Sequence, residues 1–392
     1  MERLLPYLGA VAAIAFIAVL ALLPRGASVV GAAPVAATTS NILAVVPAFS
    51  PPTAYVPAIF TSPPTARRLP VKTSTMTNAP HETAFASATP KRVSAPLLAP
   101  PPETNAPASS SPALASASLN AAANSLRKAL VNILCYAPAG SAIHSISGSG
   151  VIVSPEGVIL TNAHVAQYFL LADQGVSCVV RTGSPAQDAY TADLAFISPA
   201  WVHANATVLT ESAPSGTGEH DYAFLVISGS VTDAPVNAPF PYVPIAAYPP
   251  SEGDPVVIGS YGAQFLQSSQ IEYDLFPTIV FGSVKSRYTF GENAVDVVSL
   301  GGSAAAQEGS SGGGVVDAHG ALVGTITTST VTGSTALRSL DAITASYVRG
   351  AYASETGKPL ESLLAESTTT AVAGFSSDAS ALEAIILNAI GA

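Results

Sequence analysis

The stretch GSGVIVSPEGVILTNAHV, Gly148–Val165, sets two short apolar runs on either side of Ser154-Pro155-Glu156-Gly157 and ends just past a histidine. Each run is rich in Val and Ile and too brief for a stable helix. Pro and Gly between them mark a turn, so the stretch reads as two strands. The pattern recurs downstream in SCVVRT, DLAFIS, DYAFLVIS, DPVVIGS, TIVFGSV, AVDVVSL, GGVVDA and ALVGTIT. Short strands at regular spacing, punctuated by Gly, Pro, Asp and Asn, predict an all-β antiparallel sandwich or barrel. Helices flank it. Leu119–Cys135, LNAAANSLRKALVNILC, puts Leu119, Ala123, Leu126, Leu130, Ile133 and Leu134 on one apolar stripe, and the segment from Asp341, DAITASYVRGAYASETGKPLESLLA, has helical spacing again. The final SALEAIILNAIGA predicts a short terminal helix.

Upstream of the strands the chemistry changes twice. Leu4–Leu23, LLPYLGAVAAIAFIAVLALL, carries no charge. At about 1.5 Å per residue it matches a hydrocarbon core of roughly 30 Å, so it reads as a membrane helix. It exceeds the apolar region of a signal peptide, although GAAPVAA downstream offers a cleavage site, so an uncleaved anchor is expected and a cleaved signal is the alternative. Residues 32–117 hold sixteen of the 32 prolines and no glycine. That composition cannot bury enough apolar surface to offset the entropy of ordering, so a disordered tether is expected. The resulting plan is 1–31 anchor or signal segment, 32–117 linker, 118–365 folded domain and 366–392 a tail with a short helix.

Charged residues make up only 10% of the chain and the net charge is −10, with no Lys- or Arg-rich run, which argues against nucleic acid as a partner. The six histidines are scattered and neither CxxC nor HExxH occurs, so no metal and no cofactor is expected. Cys135 and Cys178 are the only cysteines; in an exported chain such a pair reads as one disulfide, the alternative being two buried thiols.

Three segments carry the chemistry. GVILTNAHV offers His164, HDYAFLVI offers Asp221, and EGSSGGGVV (Glu308–Val316) offers Ser311 among four glycines. Acyl transfer to a serine needs an imidazole to take the hydroxyl proton, a carboxylate to orient that imidazole, and backbone N–H groups for the oxyanion. Glycine allows the backbone to approach a substrate closely and to take up angles that a Cβ forbids. His220, His319, His81 and His144 lie in no such motif.

On these residues the sequence resembles the trypsin-like serine proteases of the chymotrypsin fold, and among them the bacterial HtrA type. TNAHV matches the T-x-x-H-V pattern of the catalytic histidine, Gly309-Ser310-Ser311-Gly312-Gly313 the G-x-S-G-G of the nucleophile, and Asp221-Tyr-Ala-Phe-Leu the D-x-A-x-L of the aspartate. GSGVIVSPEGVILTNAHV, GDPVVIGSYG and VVDAHGALVGTIT resemble the supporting strands, and the likeness covers roughly residues 130–350. It implies two six-stranded antiparallel β-barrels with flanking N- and C-terminal helices. It also implies a His164–Asp221–Ser311 triad and an oxyanion hole from Gly309, Ser310 and Ser311, with the N–H groups of Gly309 and Ser311 as donors. Asp193, in DLAFIS, is a competing acid. It lies only 29 positions after His164, whereas Asp221 lies 57 after His164 and 90 before Ser311, close to the family's proportions.

Departures from the family pattern are informative. Ser310 stands where digestive members carry an aspartate that pairs with a newly cut N-terminus, so activation by propeptide cleavage is not expected. Ala305 occupies the specificity-pocket position of the trypsin aspartate, which implies cleavage after small or apolar residues. About 42 residues follow Gly350, too few for a PDZ domain. The expected protein is a membrane-tethered serine endopeptidase facing the cell exterior or envelope, secreted if the first segment is cleaved, and acting on unfolded or flexible protein segments. A catalytically silent binding module of the same fold and a structural surface protein are the alternatives. The sequence fixes neither the oligomeric state nor the physiological substrate.

Overall fold

Strand β2 (Leu130–Tyr136) begins where helix α1 (Pro112–Ala129) stops, with no loop between them. The structure, a computed structural model, describes residues 67–68 and 112–391 apart from 212–215, 233, 237, 292–293 and 330–333. The apolar run Leu4–Leu23 and the linker up to residue 111, except Arg67–Arg68 (β1), lie outside the described residues.

The single helix expected over Leu119–Cys135 is therefore two elements. LVNILCY is apolar and short enough to suit either state, and pairing decides: it forms ladders with both β3 (Ile146–Ile152) and β5 (Ser177–Gly183). With β4 (Val158–Thr161), β6 (Ala186–Ile197) and β7 (Ala223–Ser230) these strands close an antiparallel barrel in the order β2-β3-β4-β7-β6-β5. The β2–β5 ladder is the closing seam, and Cys135 and Cys178, paired across it, form a disulfide.

The second sheet contains β8 (Pro255–Ser260), β9 (Thr278–Ser283), β10 (Ser286–Thr289), β11 (Val297–Ser299), β12 (Gly314–Asp317), β13 (Leu322–Ser329) and β14 (Leu340–Thr344). Its order is β1-β10-β11-β14-β13-β12-β8-β9 and it stays open, so the expected second six-stranded barrel is instead an eight-stranded, partly closed sheet. The sheet is open between its two edge strands, β1 and β9.

Short helices α2 (Ala163–Ala166), α3 (Pro199–Asn205) and α4 (Ser268–Tyr273) connect strands, and α5 (Ala345–Thr356), α6 (Leu360–Ala365) and α7 (Thr368–Ile390) close the chain. Asp341 opens no helix: it lies in β14, and α5 starts only after Thr344, whose hydroxyl accepts the N–H of Tyr347 at 3.0 Å as an N-cap. Likewise α1 starts at Pro112, inside the segment expected to be linker, and buries Ala122, Ala123 and Leu126 against β8 and β12. The expected short terminal helix is a 23-residue one, capped by Ser367, with Ala371, Phe375, Leu382 and Ile386 buried against the first barrel. Among the described residues α7 is the one helix long and apolar enough to cross a membrane.

Candidate active site

β4 delivers a histidine. Its last residue, Thr161, leads through Asn162 into the single turn α2, and His164 stands there almost fully buried. Asp221, fully buried just before β7, meets it twice: Oδ1 accepts the His164 backbone N–H at 3.0 Å and Oδ2 lies 2.8 Å from His164 Nδ1. Thr327 Oγ1 on β13 donates to the same Oδ2 at 2.7 Å, and Asn162 Nδ2 donates to the Asp221 carbonyl at 2.8 Å. The carboxylate is thus held by three donors, two from His164 on the helix turn and one from Thr327 on β13, which fixes its angle to the imidazole. Asp193, the competing acid, stands exposed on β6.

The loop Glu308–Gly313 is braced onto the same framework. Ser149 on β3 donates its N–H to Ser311 O and its hydroxyl to Gly309 O, each at 2.8 Å, and accepts the Tyr261 N–H at 2.8 Å. The carbonyl of Ser149 in turn accepts Thr161 Oγ1 at 2.7 Å, three residues before His164. On the other side Gly312 donates to Ile326 O at 2.9 Å and Ile326 donates to Gly313 O at 2.8 Å, next to Thr327. Two strands therefore tie the Ser311 loop to both His164 and Asp221. Residues 148–324 match the family model of the trypsin-like peptidase domain. This stretch is a trypsin-like peptidase domain.

The match covers a little under half of the chain. Among solved structures, a serine endoprotease from Yersinia pestis is similar at 23% identity over 59% of this chain, with a TM-score of 0.38; the match spans 63% of that protein's chain. Two inactive forms of the protease Rv3671c of Mycobacterium tuberculosis are similar at 19% and 18% identity, over 64% and 63% of this chain and 96% of theirs, with TM-scores of 0.39 and 0.38. No curated protein matches the sequence.

Within the peptidase domain, the amides around the serine divide into two sets. Those of Ser310, Gly312 and Gly313 donate to the carbonyls of Gln307, Ile326 and Ser310, whereas among the described residues those of Gly309 and Ser311 donate to no backbone carbonyl. Gly309 has φ +86°, and a Cβ there would stand 2.8 Å from Tyr261 O. Ser310 is buried and accepts the Ser260 hydroxyl at 3.1 Å. Ala305 is fully buried among Val298, Leu300, Leu340 and Ala342. Beside the loop, Arg338 donates to Ala306 O at 2.8 Å and to Gln264 Oε1, its guanidinium over the Phe265 ring. Burial pushes the Glu308 carboxyl up to about 7, against the pull of Arg338.

Sequence reasoning missed Ser149, Asn162 and Thr327. They are ordinary hydroxyl and amide residues in or beside strands, and only sheet register brings them to the site. It also assigned nothing to His220. That residue has φ +58°, the one non-glycine positive φ among the described residues, and lies directly before Asp221. The adjacent His220-Asp221 pair was the one available signal.

Proposed function

We propose that this chain is a serine endopeptidase in which Ser311 is the nucleophile, His164 the general base and Asp221 the residue that orients and stabilises the imidazole. The observation that carries it is the 2.8 Å His164–Asp221 pair, braced through Ser149 and Thr161 to the loop that bears Ser311. With Nδ1 committed to Asp221, Nε2 takes the Ser311 proton as Oγ bonds to the scissile carbonyl carbon. The carbonyl oxygen gains the electron pair and is stabilised by the N–H groups of Gly309 and Ser311, two loop amides that have no backbone acceptor among the described residues. Collapse of the tetrahedral species expels the amine, which receives the proton from the imidazolium. Water then repeats the sequence on the acyl-enzyme and releases the acid.

The substrates are flexible protein segments, and an alanine in place of an acid at position 305 favours a small or apolar residue before the cleaved bond. Leu4–Leu23 tethers the domain to the membrane on its outer face, in the manner of an HtrA-type enzyme, and the Cys135–Cys178 disulfide supports an oxidising compartment. A fluorophosphonate probe tests the chemistry. The folded chain should be labelled covalently on Ser311, and Ser311→Ala should abolish labelling and cleavage of an unfolded protein. A folded wild-type chain that neither labels nor cleaves would sink the proposal.

A further inference from the structure

The peptide unit preceding Asp221 is held in a conformation that L residues avoid, by groups that come from outside its own loop. His220, at φ +58°, carries a conformational cost that the surrounding structure must offset. The offset comes from α5. Tyr347 Oη, on its first turn, accepts the His220 backbone N–H at 3.0 Å, with the phenol and imidazole rings 6.2 Å apart. Glu355, near its last turn, places Oε1 2.9 Å from His220 Nδ1, and the same oxygen accepts the Ser198 hydroxyl at 3.0 Å. The Glu355 side chain is only 14% exposed, so the carboxylate is held where a cation is its best partner. The carbonyl of His220 accepts the Tyr222 N–H at 2.8 Å, which turns the chain so that Asp221 points at His164.

We infer that His220 is the positioning residue for Asp221: its left-handed backbone, clamped by Tyr347 and Glu355 of α5, aims the carboxylate at the His164 imidazole. Two contacts from one helix, to the backbone and to the side chain of one residue, over-determine that turn. The groups facing the His220 imidazole are Glu355 and Tyr347 from α5 and Glu219 from its own segment, all acidic or neutral, with Glu219 at 4.0 Å. The pairing with Glu355 raises the affinity of His220 for its proton, partly opposed by burial. The clamp is therefore strongest in acid and weakens as pH rises through the His220 pKa, above its ordinary value.

This reading rests on the proposed triad, and the experiment separates the two. The rate of fluorophosphonate labelling of the full chain is measured from pH 5 to 9, with thermal unfolding, for wild type, Ser311→Ala, Glu355→Gln, His220→Asn and His220→Ala. Asn tolerates the left-handed conformation without reaching Glu355, and Gln keeps the shape of Glu355 without its charge. Glu355→Gln should fold, label about tenfold more slowly per folded molecule, and lose rate at a lower alkaline pH than wild type does. His220→Asn should fall between wild type and His220→Ala. Unchanged labelling rates and pH limbs in folded Glu355→Gln and His220→Asn, with only the unfolding temperature lowered, would overturn the role of His220 and leave the triad standing. Labelling that persists in Ser311→Ala would instead overturn the triad itself.

Discussion

A methyl group on Gly312 would stand 2.0 Å from Ser149 O and 2.4 Å from Thr161 Oγ1, at a φ of +85°. Both neighbours are themselves part of the frame: Thr161 donates to that same Ser149 carbonyl, and Ser149 holds Ser311 and Gly309. Neither can retreat without releasing the other. Gly312→Ala should therefore displace the Ser311 loop rather than simply cost a little stability, and fluorophosphonate labelling should fall by at least about a hundredfold. Gly320→Ala is the control, since its added Cβ meets nothing within 4 Å although its φ is also positive. Labelling of Gly312→Ala near the control's rate would show that the loop does not depend on this contact. The proposed residues His164, Asp221 and Ser311 can be picked out in the sequence because each sits in a short motif whose neighbours are local. Thr327, which reaches Asp221 across 106 positions, was not, because nothing beside it distinguishes it from any other strand threonine.

Between elements, the first barrel closes where β2 meets β5, and this seam joins strands from the two ends of the six-strand run. The strand β2 was hidden in the sequence because LVNILCY continues the apolar spacing of α1, and only its two ladders reveal it. β14 was hidden in the same way ahead of α5. Periodicity over five to seven residues does not separate strand from helix. The disulfide spans 43 positions, and cross-linking a loop of that size removes denatured-state entropy equivalent to about 4 kcal/mol. The Cys135→Ser, Cys178→Ser double variant should lose roughly 2–4 kcal/mol in urea unfolding. In wild type, a reductant should lower the unfolding temperature by a similar step while leaving the double variant unmoved. Equal sensitivity of the two proteins to reductant would mean that the seam is held by its ladder and core alone.

At the scale of the whole molecule, the C-terminal helices are part of the folded domain rather than an appendage. α5 clamps the turn before Asp221. α7 completes the first barrel, with Phe375 5.4 Å from Phe196, which in turn lies 4.9 Å from Tyr352 of α5 and stacks at 5.8 Å on Tyr222. Deleting residues 367–392 would expose the barrel face that Phe375, Leu382 and Ile386 cover. At about 2–5 kcal/mol for each large buried side chain, the loss rivals the whole net stability of a typical domain. The opposite truncation should be benign, because the described buried core begins within α1, at Ala122. The fragment 112–392 should fold, label with fluorophosphonate at the rate of the full chain, and stay in the supernatant after membranes are sedimented. The full chain should sediment with them if Leu4–Leu23 is an anchor. A fragment 1–366 should fail to label because it does not hold the barrel. Labelling of 1–366 at the full rate would show α7 to be dispensable, and a full chain found only in the supernatant would remove the tether from the proposed function while leaving its peptidase chemistry intact.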